Sequence, residues 1–496
     1  MGNTSKKLAA KCTFLEKDEQ KHLASTFRAA SKNSERIHEE DLIRYWGPQI
    51  DPRLAQYLSN FLFGYGAHKS PTCDFQRFAE LYVYNVRGNP DERITTMYNS
   101  VGKDYNSAVE LPYQLLREYC EALSSTYIKV IKASSSKRAH AWIDKGFRGK
   151  ASHVQALGEA VASSIVGDSD TPTDSCTSDQ ISSNVLMMKM GEMVFVNLYG
   201  MEKKKLENAP LVAVPSLLPK PEGLEAMPDY PAFIDLSHIV WVNAHLPQKH
   251  QHKWRFLFSS HIHGESFSTM AGRIQDQGAS VIIIQDNSGY IFGGYAPEPW
   301  AMGPSFYGTD DSFLFTVAPK MRVYPATNFN NHYQYMNVNT KTLPNGLLMG
   351  GQFNFGGIWV NADPFGEGSS AESCSSYRGY RRLSKEQVFH IRSLEVWGVG
   401  DKPLSVKDSV TSLASSRSSC LDTHRSEREF LKFMGKGQIS MGMRDTDSWC
   451  YRITRFSSLQ DERDTSVLDA NPEAKAILEL AGRTQHSDGI REPPPL

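Results

Sequence analysis

No disulfide framework can be built from the cysteines. There are seven (Cys12, Cys73, Cys120, Cys176, Cys374, Cys420 and Cys450), an odd number at wide spacings with no C-x-x-C pair, and that usage points to a reducing compartment. Long apolar runs are missing too. The most apolar window, LMMKMGEMVFVNLYGM (186–201), is broken by Lys189 and Glu192 and falls well short of the roughly 20 residues a spanning helix needs. No apolar h-region follows the N-terminal lysines, so neither a transmembrane segment nor secretion is expected. Neither sign of charge predominates: 54 Lys+Arg against 55 Asp+Glu give a formal net charge of -1, without the basic surplus of a nucleic-acid binder. What is left is an ordinary globular composition, 40% hydrophobic over 496 residues, enough for roughly two to four domains.

Complete catalytic motifs are equally scarce. Gly264-Glu265-Ser266-Phe267-Ser268 resembles a nucleophile elbow, but Ser268 replaces the second glycine that the sharp turn demands. His38-Glu39-Glu40 begins a zinc-protease H-E-x-x-H, and Leu42 stands where the second histidine is required. No phosphate-cradling loop is present, and Asp310-Asp311 reads as loop charge rather than an acid/base pair. His250, His252, His261 and His263 form i, i+2 pairs that would share one face of a strand, yet no acidic or cysteine ligand lies nearby at a zinc spacing. Structural roles are therefore expected, with no metal, cofactor or catalytic residue assigned. No cysteine sits beside a resolving partner or a cationic activator.

The densest positive signal runs from Trp254 to Trp397. Strand-like stretches follow one another there: WRFLFSS (254–260), VIIIQDNSGYIFGGYA (281–296) with a hairpin turn at Asp286-Asn287-Ser288-Gly289, FYGTDDSFLFTV (306–317), GLLMGGQFNFGGIWV (346–360) and LEVWGVG (394–400). Glycines ahead of aromatic strand residues mark bulges and tight corners, and Trp359 and Trp397 are expected to supply core volume. HGESF (263–267), IFGGYA (291–296), Phe313-Leu314-Phe315, GGQFNFGGIWV (350–360), Cys374 and LEVWG (394–398) occur in the order found in the TLDc domain, and the chain resembles that family over about a third of its length. The resemblance implies a TLDc β-sandwich with flanking helices over 230–400. Its structural motif residues are His263, Gly264, Ser266, Gly293, Gly294, Trp359 and Trp397, with His263 making a hydrogen bond that fixes the HGESF turn.

Residues 17–165 change to helical periodicity, as in EQKHLASTFRAA (19–30), DPRLAQYLSNFLFG (51–64), CDFQRFAELYVYNV (73–86) and LPYQLLREYCEALSSTYIKVIK (111–132). The spacing of the first four helices resembles paired EF-hands, with Ile37 and Phe75 as the apolar residues of the two loops. Calcium needs six to eight oxygens, whereas the loop aligned on Ile37 starts at Ala30 and offers Lys32 and Ser34, and the one aligned on Phe75 runs from His68 to Ala79. An EF-hand-like helical domain without calcium ligands is expected. Residues 166–229 read as a linker, rich in Ser, Thr and Asp over 167–183, followed by a packed helical segment and a proline-rich stretch extended over the next domain. The fold class is α+β.

Both ends carry interaction signals. Met1-Gly2-Asn3-Thr4-Ser5-Lys6-Lys7 exposes Gly2 as an N-myristoylation acceptor, although Lys6 occupies the usual Ser/Thr position. One acyl chain binds marginally, and Lys6, Lys7 and Lys11 in the basic segment 1–16 add attraction to an anionic leaflet. Residues 401–465 are a low-complexity insertion read as disordered. In 466–496, Asn471, Pro472 and Gly482 delimit a helix with Ala474, Ile477, Leu478 and Ala481 on one face, too short to persist unless docked on a partner or on its own domain. Met-Gly start, degenerate EF-hand pair, TLDc domain and tail helix together resemble the lysosomal, mTOR-linked branch of the TLDc family. That resemblance implies a non-enzymatic, myristoylated adaptor on the cytosolic face of the lysosomal membrane with a cytoplasmic pool. Its partners would be the V-ATPase and mTOR pathway components, with no nucleic acid and with the tail helix reading the partner. The competing reading is a redox or hydrolytic enzyme using His263 and Ser266; a third is a calcium sensor.

Overall fold

In the computed structural model the described residues are 15, 17–66, 69–101, 110–134, 136–167, 174–201, 205–206, 209–210, 216–224, 230 and 232–403. Gly2, Lys6, Lys7 and Lys11, the insertion beyond 403, and the tail face Ala474, Ile477, Leu478 and Ala481 lie outside them.

The helical half is punctuated by the chemistry that starts and stops helices. α1 (Lys17–Ala30) and α2 (Glu39–Trp46) are joined through β1 (Ile37–His38). α3 (Pro52–Phe63) opens with Pro52 at its first turn and Asp51 accepting from the Arg53 N–H at 3.0 Å, and closes on Gly64. β2 (Thr72–Cys73) leads into α4 (Phe75–Tyr82), capped by Asp74. β1 and β2 pair antiparallel with Ile37 opposite Cys73. The second loop therefore places Cys73, not Phe75, opposite Ile37. Phe75 instead begins α4 and packs its ring 5.5 Å from Phe27.

α5 (Pro90–Ser100), with an Asn89–Glu92 capping box, precedes β3 (Leu111–Pro112) and the long α6 (Tyr113–Ala133). α7 (Lys137–Ile143) and α8 (Ala151–Val166) follow. Gly158 of α8 sits where a Cβ would meet the backbone of Glu121, so glycine is what lets α8 close on α6. The stretch read as a linker is structured in part: β4 (Ser175–Cys176) pairs antiparallel with β3, Leu111 opposite Cys176, and α9 (Ser178–Ser183) and α10 (Val185–Leu198) continue the helical layer. α10 lies where a packed helical segment is expected, and α9 falls within the stretch read as linker. The proline-rich stretch also goes inward, burying Leu217 and Leu218 and forming β5 (Lys220–Glu222).

After α11 (Leu236–His245) come β6 (Lys253–Ser259), a helical turn α12 (Ser260–His263) and α13 (Phe267–Ile274). The strands β7 (Ser280–Asp286), β8 (Ile291–Ala296), β9 (Phe313–Ala318) and β10 (Arg322–Pro325) form one arm. β11 (Tyr335–Asn337), β12 (Gly346–Met349), β13 (Ile358–Asn361) and β14 (Glu367–Ser369) form a second. The 12-residue β15 (Val388–Val399) joins them: its first residues pair with β14 and the remainder with β7 and β6. The whole is an 11-stranded sheet in the order β10-β9-β8-β7-β15-β14-β13-β12-β11, antiparallel along that path, with β6 also on β15 and β5 parallel to β6.

The β7 sequence explains the layering. Ser-Val-Ile-Ile-Ile-Gln-Asp has no polar alternation until its end because both of its faces are covered. Ile282 and Ile284 enter a core shared with Leu347, Met349, Ile358 and Val360 of the second arm, so the two arms face each other as a sandwich. Val281 and Ile283 point the other way, into a core with the helical half. That second core runs without interruption from Leu15 to Val399, and residues up to 403 form one compact unit. At its centre three tryptophans meet: Trp142 of α7 lies 6.2 Å from Trp254 and 5.4 Å from Trp397. Each indole N–H is satisfied, by the Pro219 carbonyl, Asn243 Oδ1 and Glu395 Oε2 respectively, as buried indoles require.

Candidate functional site

The TLDc motif residues are distributed through the packing rather than gathered in a cleft. His263 ends α12. Its ring lies 5.6 Å from both Phe256 and Phe258, and Nδ1 accepts from the Ser259 N–H at 3.1 Å. The expected hydrogen bond is there, but it ties the helical turn back to β6 instead of fixing the turn that follows. Burial lowers the His263 pKa, with Arg273 adding to the effect. Gly264 carries the chain at φ 83°, which glycine adopts without strain. Ser266 is the N-cap of α13, its hydroxyl accepting from the Thr269 N–H at 3.3 Å. Neither side chain's hydrogen bond goes to the other, so the pair is not assembled as base and nucleophile.

Gly293 and Gly294 lie mid-strand in β8, not at a corner. A Cβ on Gly293 would fall on the Ile282 carbonyl, and one on Gly294 would lie 2.6 Å from Met349 Sδ. Their function is close approach, of strand to strand and of arm to arm. Trp397 is fully buried as expected, whereas Trp359 lies half-buried on the outer face of β13 beside inward-facing Ile358 and Val360, its indole bonded to Asn361 Oδ1 at 2.5 Å. The described thiols are poor redox candidates: burial raises Cys73 to about 12 and Cys176 to about 11, and also raises Cys120 and Cys374.

The charged groups that do stand out lie between the helical layer and the sheet, and none was singled out from sequence. Asp235, the N-cap of α11, accepts from the Gly149, Lys150 and Leu236 N–H groups and from His153 Nδ1 at 3.0 Å. One carboxylate thus serves the starts of two helices, α8 and α11. Although burial opposes it, the His153 hydrogen bond and the three backbone donors hold its carboxyl well below the usual range. The His238 ring lies 4.5 Å from that of His153, accepts from the Asp235 N–H, and leaves Nε2 buried without a partner. Burial pushes His238 down to about 3, so it is neutral.

Glu395 is the second such group. It is 1% exposed on β15, with Oε2 accepting from the Trp397 indole at 3.0 Å. The buried Tyr230 hydroxyl interacts with the carboxyl, although neither that hydroxyl nor Oε1 has a partner at full hydrogen-bond geometry. Tyr230 in turn stacks on Phe147 at 5.6 Å and meets Phe256 edge-on at 5.7 Å. Burial in this aromatic box pushes the Glu395 carboxyl up to about 7. Among the described residues no group of three or more His, Cys, Asp or Glu is arranged to hold a metal ion, and no helix is long and apolar enough to cross a membrane.

Residues 228–400 match the TLDc domain family. Over 424 residues the chain is 30% identical to the MTOR-associated protein MEAK7 of Gallus gallus, covering 82% of this chain and 76% of that protein. The protein of the same name from Xenopus laevis is 30% identical over 430 residues, 84% of this chain and 80% of that protein. The chain belongs to the MEAK7 family of TLDc-domain proteins. A shorter similarity, 31% over 178 residues, links it to Nuclear receptor coactivator 7 of Mus musculus, covering 36% of this chain and 18% of that protein. In this MEAK7-family chain the domain match ends at Gly400, whose N–H bonds the Lys253 carbonyl and whose own carbonyl accepts from buried Arg255 at 3.1 Å. The matched region is therefore closed on itself by its last strand, while on the face bearing Glu395 and Trp397 the Trp142 ring, which precedes the match, packs beside Tyr230, Trp254 and Phe256 from within it.

Proposed function

We propose that the protein is a non-enzymatic adaptor at the cytosolic face of the lysosomal membrane, binding the V-ATPase and taking part in mTOR signalling. The observation that carries this reading is membership of a family whose relatives, similar across most of both chains, are named MTOR-associated. Gly2 is the proposed acyl acceptor, and Lys6, Lys7 and Lys11 the auxiliary contact with the leaflet. Ile477 and Leu478, with Ala474 and Ala481, form the apolar face of the proposed partner-reading helix. The geometry of His263 and Ser266 favours this over hydrolytic or redox chemistry, since one side chain is spent on a strand end and the other on a helix cap.

The test is affinity capture of the full chain from solubilised lysosomal membranes. V-ATPase subunits and mTOR pathway components should be retained, and capture of neither would refute the adaptor reading. Gly2→Ala should move the protein to the soluble fraction; unchanged membrane recovery would place the anchor elsewhere.

We read the two helix–strand–helix pairs as EF-hand-like, because each two-residue bridge, β1–β2 and β3–β4, joins segments that lead into helices. In the first loop the Lys32 ammonium lies 2.7 Å from Asp41, a positive charge supplied by the chain itself. Calcium titration of the full chain should give no saturable heat; saturable binding would revive the sensor reading.

A further inference from the structure

We propose that a cleft at the junction of the helical and sheet halves binds a small, multiply phosphorylated polyol. It is formed by the end of α6, the start of α7, α10, the segment around β5, and the turn before β6, and encloses about 910 Å³, a size suited to a small-molecule ligand. Its charged lining is of one sign. Lys137, Arg138 and Lys220 face it, with the His252 imidazole beside them, and among the described residues no Asp or Glu lines it, although the whole chain is almost neutral.

The acids nearby pair with His252 and Lys253 and, among the described residues, leave the other cations of the cleft unpaired. Asp401 pairs with His252 at 3.3 Å and with Lys253 at 2.8 Å, and Glu222 pairs with Lys253 at 3.3 Å. Lys137, Arg138 and Lys220 are left without an ion pair among the described residues. Like charges drawn from separate segments repel one another, and an anion held between them relieves that repulsion.

The wall is built before any ligand arrives. Arg138 Nη1 donates to the Leu218 carbonyl at 3.3 Å, the Trp142 indole to the Pro219 carbonyl at 2.8 Å, and Asn243 Nδ2 to the Leu217 carbonyl at 2.9 Å. The Lys220 N–H then bonds the His252 carbonyl at 3.0 Å, so the segment that carries Lys220 is fixed on both sides. One guanidinium N–H is used in this scaffold, which leaves the rest of the fork for phosphate oxygens. Ser134, Ser136, Ser216, Asn197 and Gln248 add neutral polar groups suited to ring hydroxyls. The volume exceeds what a lone phosphate fills, and cations on two separate segments, the start of α7 and β5, suit several anionic groups on one ring.

This proposal rests on no part of the adaptor reading. It is tested with the full chain carrying Gly2→Ala, so that no acyl anchor contributes. Inositol hexakisphosphate is titrated calorimetrically at 0.15 M salt, and phosphatidylcholine vesicles with and without phosphatidylinositol bisphosphate are tested in flotation. Saturable binding of the soluble probe is expected, weakened at least tenfold by Lys137→Gln/Arg138→Gln/Lys220→Gln and little changed by Lys21→Gln/Lys341→Gln/Lys385→Gln. Binding of the soluble probe alone identifies a free metabolite; phosphoinositide-dependent flotation as well identifies a lipid headgroup. Should the triple variant melt early, Lys220→Gln alone, at an exposed position, should still weaken binding about threefold. Absence of saturable heat, or an equal loss in the control variant, overturns the proposal.

Discussion

Glu395→Gln isolates the cost of burying a carboxyl beneath the helical layer. The group goes from an ordinary value of 4.5 in the unfolded chain to about 7 in the folded one, so between those values the native state binds more protons than the unfolded state. Stability from this group is therefore fully present below about 4.5, falls as pH rises, and is lost through about 7. At 1.36 kcal/mol per pH unit the span is worth about 3 kcal/mol. For roughly 400 residues unfolding together at about 2.1 cal/mol/K each, that is a difference in Tm of about 4 °C.

Glutamine keeps the shape and stays neutral. The assay is scanning calorimetry of wild type and Glu395→Gln in parallel at fixed scan rate from pH 5 to pH 8, every other titration being common to both. Near pH 5 the two should nearly coincide, because Glu395 is largely protonated there. By pH 8 the variant should melt higher, by up to the 4 °C just derived. A difference that does not vary with pH, or a variant less stable throughout, would mean that Glu395 is ionised and favourably held, and the reasoning would be wrong.

Other outcomes follow from the same geometry. Gly293→Ala should cost more than about 3 kcal/mol, since its Cβ meets a backbone carbonyl, whereas Gly294→Ala meets the movable end of Met349 and should cost about 1–3 kcal/mol; denaturant midpoints of both variants check the order. Asp235→Asn should cost about 3 kcal/mol, because one side chain caps two helix starts, and the carboxylate's contribution should persist above its ordinary value of 3.8 and fade as pH falls below it; acid unfolding curves test this. Trp142→Ala should cost about 3–5 kcal/mol and red-shift the emission of Trp254 and Trp397. Residues 228–400 made alone should bind hydrophobic dyes strongly, because Val281, Ile283, Phe313, Phe315 and Trp397 lose their cover; a monodisperse, dye-silent domain would refute the shared core.

What was legible from sequence was whatever rests on local pattern. The β7 run of isoleucines, the Asp286–Gly289 turn and the helical periodicity of 51–64 each state their structure in a few adjacent residues. The β3–β4 pair was not legible. Its strands are two residues each, separated by about 60 positions and flanked by polar residues that read as linker, and two residues carry no periodicity. Glu395 was missed, and Trp359 misplaced, for a common reason. Alternation assigns polar residues to solvent and large apolar ones to the core only where one face of a sheet is wet. In Leu394-Glu395-Val396-Trp397 both faces are covered, so the glutamate goes inside; in Ile358-Trp359-Val360 the outer face is open, so the tryptophan lies against its rim.

That double coverage alters what any substitution at the tail or the junction can report. Reading 230–400 as self-sufficient assumes strands that bury one face against their own second arm. β7, β9 and β15 bury the other face just as completely, against residues that begin at Leu15. Strands dry on both sides gain apolar burial from each layer, so the sheet and the helices should melt as one cooperative unit. A melting temperature unchanged by Ile477→Asp/Leu478→Asp would then vouch for the helical half as well as the sheet, and lost V-ATPase capture could be assigned to docking. Glu395 lies in the same seam. A proton taken up there makes the interface less costly to close, so proton uptake and docking of the helical layer must be linked in the same direction.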